Sequence, residues 1–135
     1  MTTPQVEVAG QLAASGTVTL SGSGNGVITL SPDNARQRWE VTSVVVSTNQ
    51  AASATVVPVA TVALNTPDIT VLSQGLNRGQ SWSGNQDTFA GKVDVGPADT
   101  LCIGFSPAAG QNGSVMSGVI ARAVVTGTKY TRRSL

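Results

Sequence analysis

Apolar and polar residues alternate with a period of two in short runs along this chain, and each run ends at a cluster of Gly, Pro, Asn or Asp. Lys92-Val93-Asp94-Val95 alternates cleanly, Gly96-Pro97-Ala98-Asp99 turns, and Leu101, Ile103 and Phe105 alternate again. A period of two sends successive side chains to opposite faces of a strand, so each run reads as a half-buried strand. Turn signals recur about every eight to twelve residues, the spacing of an all-β sandwich or barrel. No run carries a convincing helical period. The expected fold is a single all-β domain over residues 1–135, a jelly-roll-like β-sandwich of about eight or nine short antiparallel strands with flexible N- and C-terminal arms.

Residues 1–12 hold one alternating segment, Val6-Glu7-Val8, and are expected to form a first strand or an extended arm. Residues 17–20 and 27–30 flank Ser21-Gly22-Ser23-Gly24-Asn25-Gly26 and read as a hairpin. Residues 36–48 form the longest extended segment, with Trp39, Val41 and Val45 expected on one face and Glu40, Thr42, Val44 and Val46 on the other. Pro58 interrupts the run 54–64, and a residue without an N–H donor predicts an edge strand or a bulge there. Residues 69–72 read as a short strand. Residues 73–87 are polar and Gly-rich, with one weak strand around Trp82. Residues 107–113 are expected to form a loop ending in an Asn112-Gly113 turn. Residues 114–126 are apolar on both faces apart from Arg122, which predicts a central strand. Residues 127–135 carry Lys129, Arg132 and Arg133 without apolar periodicity, and read as a basic C-terminal tail.

Composition narrows the chemistry. Aromatics make up only 4% of the chain, so the core must be built from Val, Ala, Leu and Ile, residues that suit packed sheets. The chain contains no histidine and one cysteine, and 11% of its residues are charged. Without an imidazole, acid–base catalysis needs a strongly shifted carboxylate, lysine or tyrosine, and one thiol without histidine excludes a structural zinc site from this chain alone. The carboxylates are scattered, and no serine sits in a Ser-x-x-Lys pattern. The chain therefore reads as a non-enzymatic module that needs no cofactor. A net charge of +1 gives no global field toward nucleic acid or an anionic membrane. A charge-poor surface self-associates readily, which suits a subunit of an assembly. Cys102 lies between Leu101 and Ile103 and reads as a buried, inert thiol. The first residues lack a basic region followed by an apolar one, so no secretion signal is read, and no apolar run is long enough to span a bilayer.

Several motifs have plain readings. Gly22-Ser23-Gly24-Asn25-Gly26 precedes a strand rather than a helix, so it is a turn and not a phosphate loop. Asn112-Gly113-Ser114 matches a glycosylation pattern and reads as a turn. Asn85, Gln86, Asp87, Asp94 and Asp99 are oxygen donors at no spacing that predicts a calcium loop, and Asp99 reads as a turn former. Trp39 is expected in the core. Trp82, between serines in a polar loop, either plugs one end of the sandwich or marks a contact surface. The residues singled out as candidate interface are Val6, Val8, Trp82, Asn85, Lys129, Tyr130, Arg132 and Arg133.

Arg38-Trp39-Glu40-Val41-Thr42-Ser43-Val44-Val45-Val46-Ser47-Thr48 is followed by a Val-rich strand with a proline, then by Ser81-Trp82-Ser83-Gly84-Asn85-Gln86-Asp87. The turn Gly96-Pro97-Ala98-Asp99-Thr100-Leu101 and a closing Gly118-Val119-Ile120-Ala121 strand complete the order. This succession resembles small β-sandwich virion proteins of tailed phages, particularly those of actinobacterial hosts. The resemblance rests on pattern and turn placement and spans residues 24–127. It implies a structural subunit without catalytic residues, placed on the capsid exterior as a decoration or minor capsid protein. Its implied partners are further copies of itself, a trimer among them, and the major capsid protein. A tail, collar or baseplate component is the alternative within a virion, and a carbohydrate-binding adhesion module is the alternative outside that class, motivated by Trp82. The basic tail lies outside the family pattern.

Overall fold

The computed structural model describes residues 5–50, 58–65, 70–72, 86–107 and 110–134. Eight strands order them: β1 (Gln5–Thr19), β2 (Gly26–Leu30), β3 (Gln37–Thr48), β4 (Pro58–Leu64), β5 (Thr70–Leu72), β6 (Gln86–Val95), β7 (Leu101–Pro107) and β8 (Ile120–Ser134). A single 3₁₀ turn, Gly113–Met116, precedes the last strand, capped by Asn112, whose side-chain oxygen accepts from the Ser114 amide. The strands form two four-stranded sheets in the orders β1-β8-β3-β6 and β2-β7-β4-β5, with every pair antiparallel. First pairs with last, second with seventh, third with sixth and fourth with fifth. This is a long antiparallel ribbon wrapped on itself, the connectivity of a jelly roll.

The inner faces meet in an aliphatic core. Val41, Val44, Val46, Val62, Val95, Leu101, Ile103, Met116, Ala121, Ala123 and Val125 are fully buried, with Trp39 and Phe105 nearly so. The alternation of residues 92–95 and 101–105 reads directly onto this core. Cys102 is buried as expected, opposite Ala63 on β4, and burial pushes its thiol pKa up.

Several expectations give way to tertiary pairing. Residues 17–20 and 27–30 form no hairpin. They lie in different sheets, and the Ser21–Gly26 turn carries the chain across the sandwich so that β2 pairs with β7. That turn closes through Ser21 N–H to the Asn25 carbonyl at 2.8 Å, and Gly24 at φ +83° packs against the backbone of Gly113 in the facing turn. On β3 the faces are reassigned. The register shifts between Val41 and Ser43 against both neighbours: against β8 Thr42 is an extra residue of β3, whereas against β6 the extra residue lies on β6. A bulge advances the side-chain alternation by one, which turns Val44 and Val46 inward with Trp39 and Val41 and leaves Val45 only half-buried. Gly127 lies opposite Val41, and a Cβ there would collide with the Glu40 carbonyl oxygen. The edge strand expected from Pro58 is not found, although β4 has a register shift against β5 between Val62 and Ala63, and residues 54–57 lie outside the described residues. Pro58 is the first residue of β4, which lies between β7 and β5. The closing strand starts at Ile120, not at 114, because residues 113–116 wind into the 3₁₀ turn that buries Met116. The largest correction concerns the terminal segments. Where arms were expected, β1 and β8 pair in unbroken register from Gln5↔Ser134 to Thr19↔Ile120. The described parts of 1–12 and 127–135 are strands of the first sheet.

Candidate interface on an overhanging ribbon

The two sheets differ in length. Among the described residues the first has strands of 15, 15, 12 and 10 residues, whereas those of the second have 5, 7, 7 and 3. A Cβ at Gly16 would meet Ile28 at 2.7 Å, which puts β2 over the second half of β1. Inward positions there are Leu12, Ala14, Gly16 and Val18, and Leu12 and the following Leu20 are buried. The first half of β1 runs on past the second sheet for about 20 Å at the usual strand rise. Val6 and Val8 continue the inward-facing series, and each remains 42% exposed.

The end of β8 runs beside this segment. Gly10 pairs with Lys129, Val8 with Thr131 and Val6 with Arg133, so by alternation Lys129, Thr131 and Arg133 share the inner face with the valines. Gln37, the first residue of β3, closes the core at this boundary. Its side-chain oxygen accepts from the Trp39 indole N–H at 2.9 Å and from the Asp33 amide at 3.0 Å, so the oxygen of the one buried polar side chain among the described residues is satisfied.

The outer face of the same ribbon is polar. Arg38 donates through Nε and Nη2 to the two carboxylate oxygens of Glu7 at 2.8 and 3.0 Å, and its guanidinium stacks 4.2 Å from the centroid of the Tyr130 ring. The bidentate contact with Arg38 holds the Glu7 carboxyl below the usual carboxylate range and raises the Arg38 pKa. Arg132, opposite Glu7 on β8, donates to the Ala35 carbonyl at 3.3 Å. Glu7, Arg36, Arg38, Pro97 and Arg132 line a shallow depression of about 290 Å³.

The structure thus gathers Val6, Val8, Lys129, Tyr130, Arg132 and Arg133 on one end of one sheet, with Tyr130 and Arg132 outward and the other four inward. Trp82 and Asn85 lie outside the described residues. Sequence reasoning did not bring Glu7, Arg36 and Arg38 to this end, because Glu7 and Arg38 meet only through the strand β8 that separates them. Elsewhere, Asp99 accepts from the Gly96 amide at 2.9 Å and from the Asn65 side chain at 3.1 Å, as a turn former does. Among the described residues no three His, Cys, Asp or Glu side chains gather to hold a metal, and no helix is long and apolar enough to cross a membrane.

No family model matches the chain, and no curated protein matches it. Among solved structures, a chain in the acidic stable capsid structure of Helicobacter pylori bacteriophage KHP30 is 15% identical, with a TM-score of 0.49 over 98% of this chain and 100% of that chain. At that identity and score, no residue role or partner is carried across.

Proposed function

We propose that this chain is a non-enzymatic structural subunit of a phage virion, seated as a homo-oligomer on the capsid exterior against the major capsid protein as a decoration or minor capsid protein. The observation that carries this reading is the unequal length of the two sheets. It leaves a ribbon of backbone-paired strand projecting from a rigid sandwich, with two valines facing outward from where a core would continue. A free-standing domain has no use for such an uncovered continuation of its core face, whereas a subunit that docks on a lattice does. Jelly rolls serve in viral capsids, lectins and cupins, so the fold admits the reading without selecting it. The resemblance to small virion β-sandwiches and the charge-poor composition point the same way.

The test is co-sedimentation of the purified protein with undecorated capsids of the phage that encodes it. The expected result is saturable binding, lost when Val6 and Val8 are both replaced by aspartate in a protein whose circular dichroism is unchanged. A folded protein that stays in the supernatant overturns the reading.

A further inference from the structure

Every open sheet has two edges, and proteins blunt them with short strands, charges, proline or bulges to prevent unwanted pairing. Among the described residues two of the other edges are blunted: β2 has five residues, and β6 carries Lys92 and Asp94 and an extra residue opposite Thr42. β1 is different. It has fifteen residues, about 50 Å of strand, with no proline, no bulge against β8 and Glu7 as its one charge.

The hydrogen-bond parity of that edge follows from its end. Leu20 N–H donates to the Val119 carbonyl at 2.8 Å, and Gly118 N–H to the Leu20 carbonyl at 3.1 Å, so the backbone groups of Leu20 face β8. In an antiparallel ladder this alternates, and the register of β1 with β8 is unbroken. The even-numbered residues of β1 therefore spend their N–H and C=O on β8. Gln5, Glu7, Ala9, Gln11, Ala13, Ser15, Thr17 and Thr19 aim theirs at the open edge, and all eight are exposed.

Charge selects what fits there. The strand segments of the overhang, with the residue leading into β3, carry Arg36, Arg38, Lys129, Arg132 and Arg133 against Glu7, in a chain whose net charge is only +1. Asp33, Asp94 and Glu40, the last paired with Lys92, are the carboxylates that border it. A second copy of β1 would bring one carboxylate to this cationic end.

We propose that the open edge of β1 accepts an extended, acidic segment of another polypeptide as an added strand. Main-chain hydrogen bonds to the odd-numbered residues supply the affinity. Val6 and Val8 receive its inward side chains, and its outward carboxylates meet Arg36 and Arg132. The inference rests on this end being the attachment surface, and not on which particle it attaches to.

The test uses a fluorescent twelve-residue peptide alternating valine with glutamate, a second with lysine in place of glutamate, and a third with valine and glutamate but N-methylated at alternate residues. Fluorescence anisotropy with the full chain should show the glutamate peptide binding at least about tenfold more tightly than either other peptide, since like charges across a contact and lost ladder bonds both oppose binding. Ala9→Pro removes an N–H that faces the open edge and leaves the β8 ladder intact, so it should weaken binding by a similar factor in a folded protein. Equal binding of the N-methylated peptide overturns strand addition, and equal binding of the lysine peptide overturns the acidic partner. A concentration-dependent dimer that Ala9→Pro dissolves would assign the edge to a second copy and overturn the proposal. Peptide binding without capsid co-sedimentation would overturn the virion reading alone.

Discussion

The two halves of β1 share one sequence logic and end in different surroundings. From Leu12 onward, every second residue faces the second sheet, and Leu12 is buried with Leu20 beyond the strand's end. From Gln5 to Gln11 the same alternation continues past the described strands of the second sheet, and Val6 and Val8 are exposed. The pattern specifies which face a side chain takes, and the reach of the opposing sheet decides whether that face becomes core. A valine in the covered half contributes to stability, whereas a valine in the overhang stays exposed and contributes little.

The widest contrast lies between truncations in the two regions. Ile103→Ala, deep between the sheets, should cost about 2–5 kcal/mol through lost burial and the cavity left behind. Val8→Ala should stay within about 0.5 kcal/mol. Urea denaturation of both variants measures this, and equal losses would mean the overhang is packed after all.

The boundary between the halves is the next place to press. Gly127→Ala forces a Cβ into the Glu40 carbonyl beside the β3 bulge and should cost about 1–3 kcal/mol, read as a lowered urea midpoint. Gln37→Leu strands the Trp39 indole and the Asp33 amide without their acceptor, and should cost about 1–2 kcal/mol with a shift in tryptophan fluorescence.

The smallest effect belongs to the exposed outer face. The Glu7 pKa is depressed by Arg38, so its contribution is fully present above the ordinary carboxylate value near pH 4.3 and is lost as pH falls through the lower folded value. Glu7→Gln should remove that step from the acid limb of the stability profile, lowering stability slightly near neutral pH and leaving it unchanged at acid pH, where Glu7 is protonated. A carbon-detected titration of the Glu7 carboxyl in the native protein locates its midpoint directly, below that of an unpaired glutamate.

The sequence was most legible where a strand pairs simply. Lys92-Val93-Asp94-Val95 and Leu101, Ile103 and Phe105 sort onto faces as the alternation requires. It was least legible where distant segments decide the outcome. Thr42 looks like any other strand residue, and only the neighbour β8 reveals it as the extra residue that moves Val44 and Val46 to the core face. Lys129, Thr131 and Arg133 have no apolar period because their inner face is uncovered, so the segment read as a tail although it is strand throughout. Residues 17–20 and 27–30 looked like a hairpin because a Gly-rich turn serves equally to pair two strands or to cross between sheets. Within the candidate interface, Val6, Val8 and the basic residues were recognisable individually. Their assembly into one surface, with Glu7 and Arg38, required the pairing of the first strand with the last.

The central claim is that the overhanging half of β1 is an interface while the covered half is scaffold. Hydrogen exchange of the protein alone and bound to undecorated capsids tests it most directly. The exposed amides of Glu7, Ala9 and Gln11 should gain protection on binding while those facing β8 change little. Unchanged exchange along β1, with protection gained elsewhere on the sandwich, would contradict it.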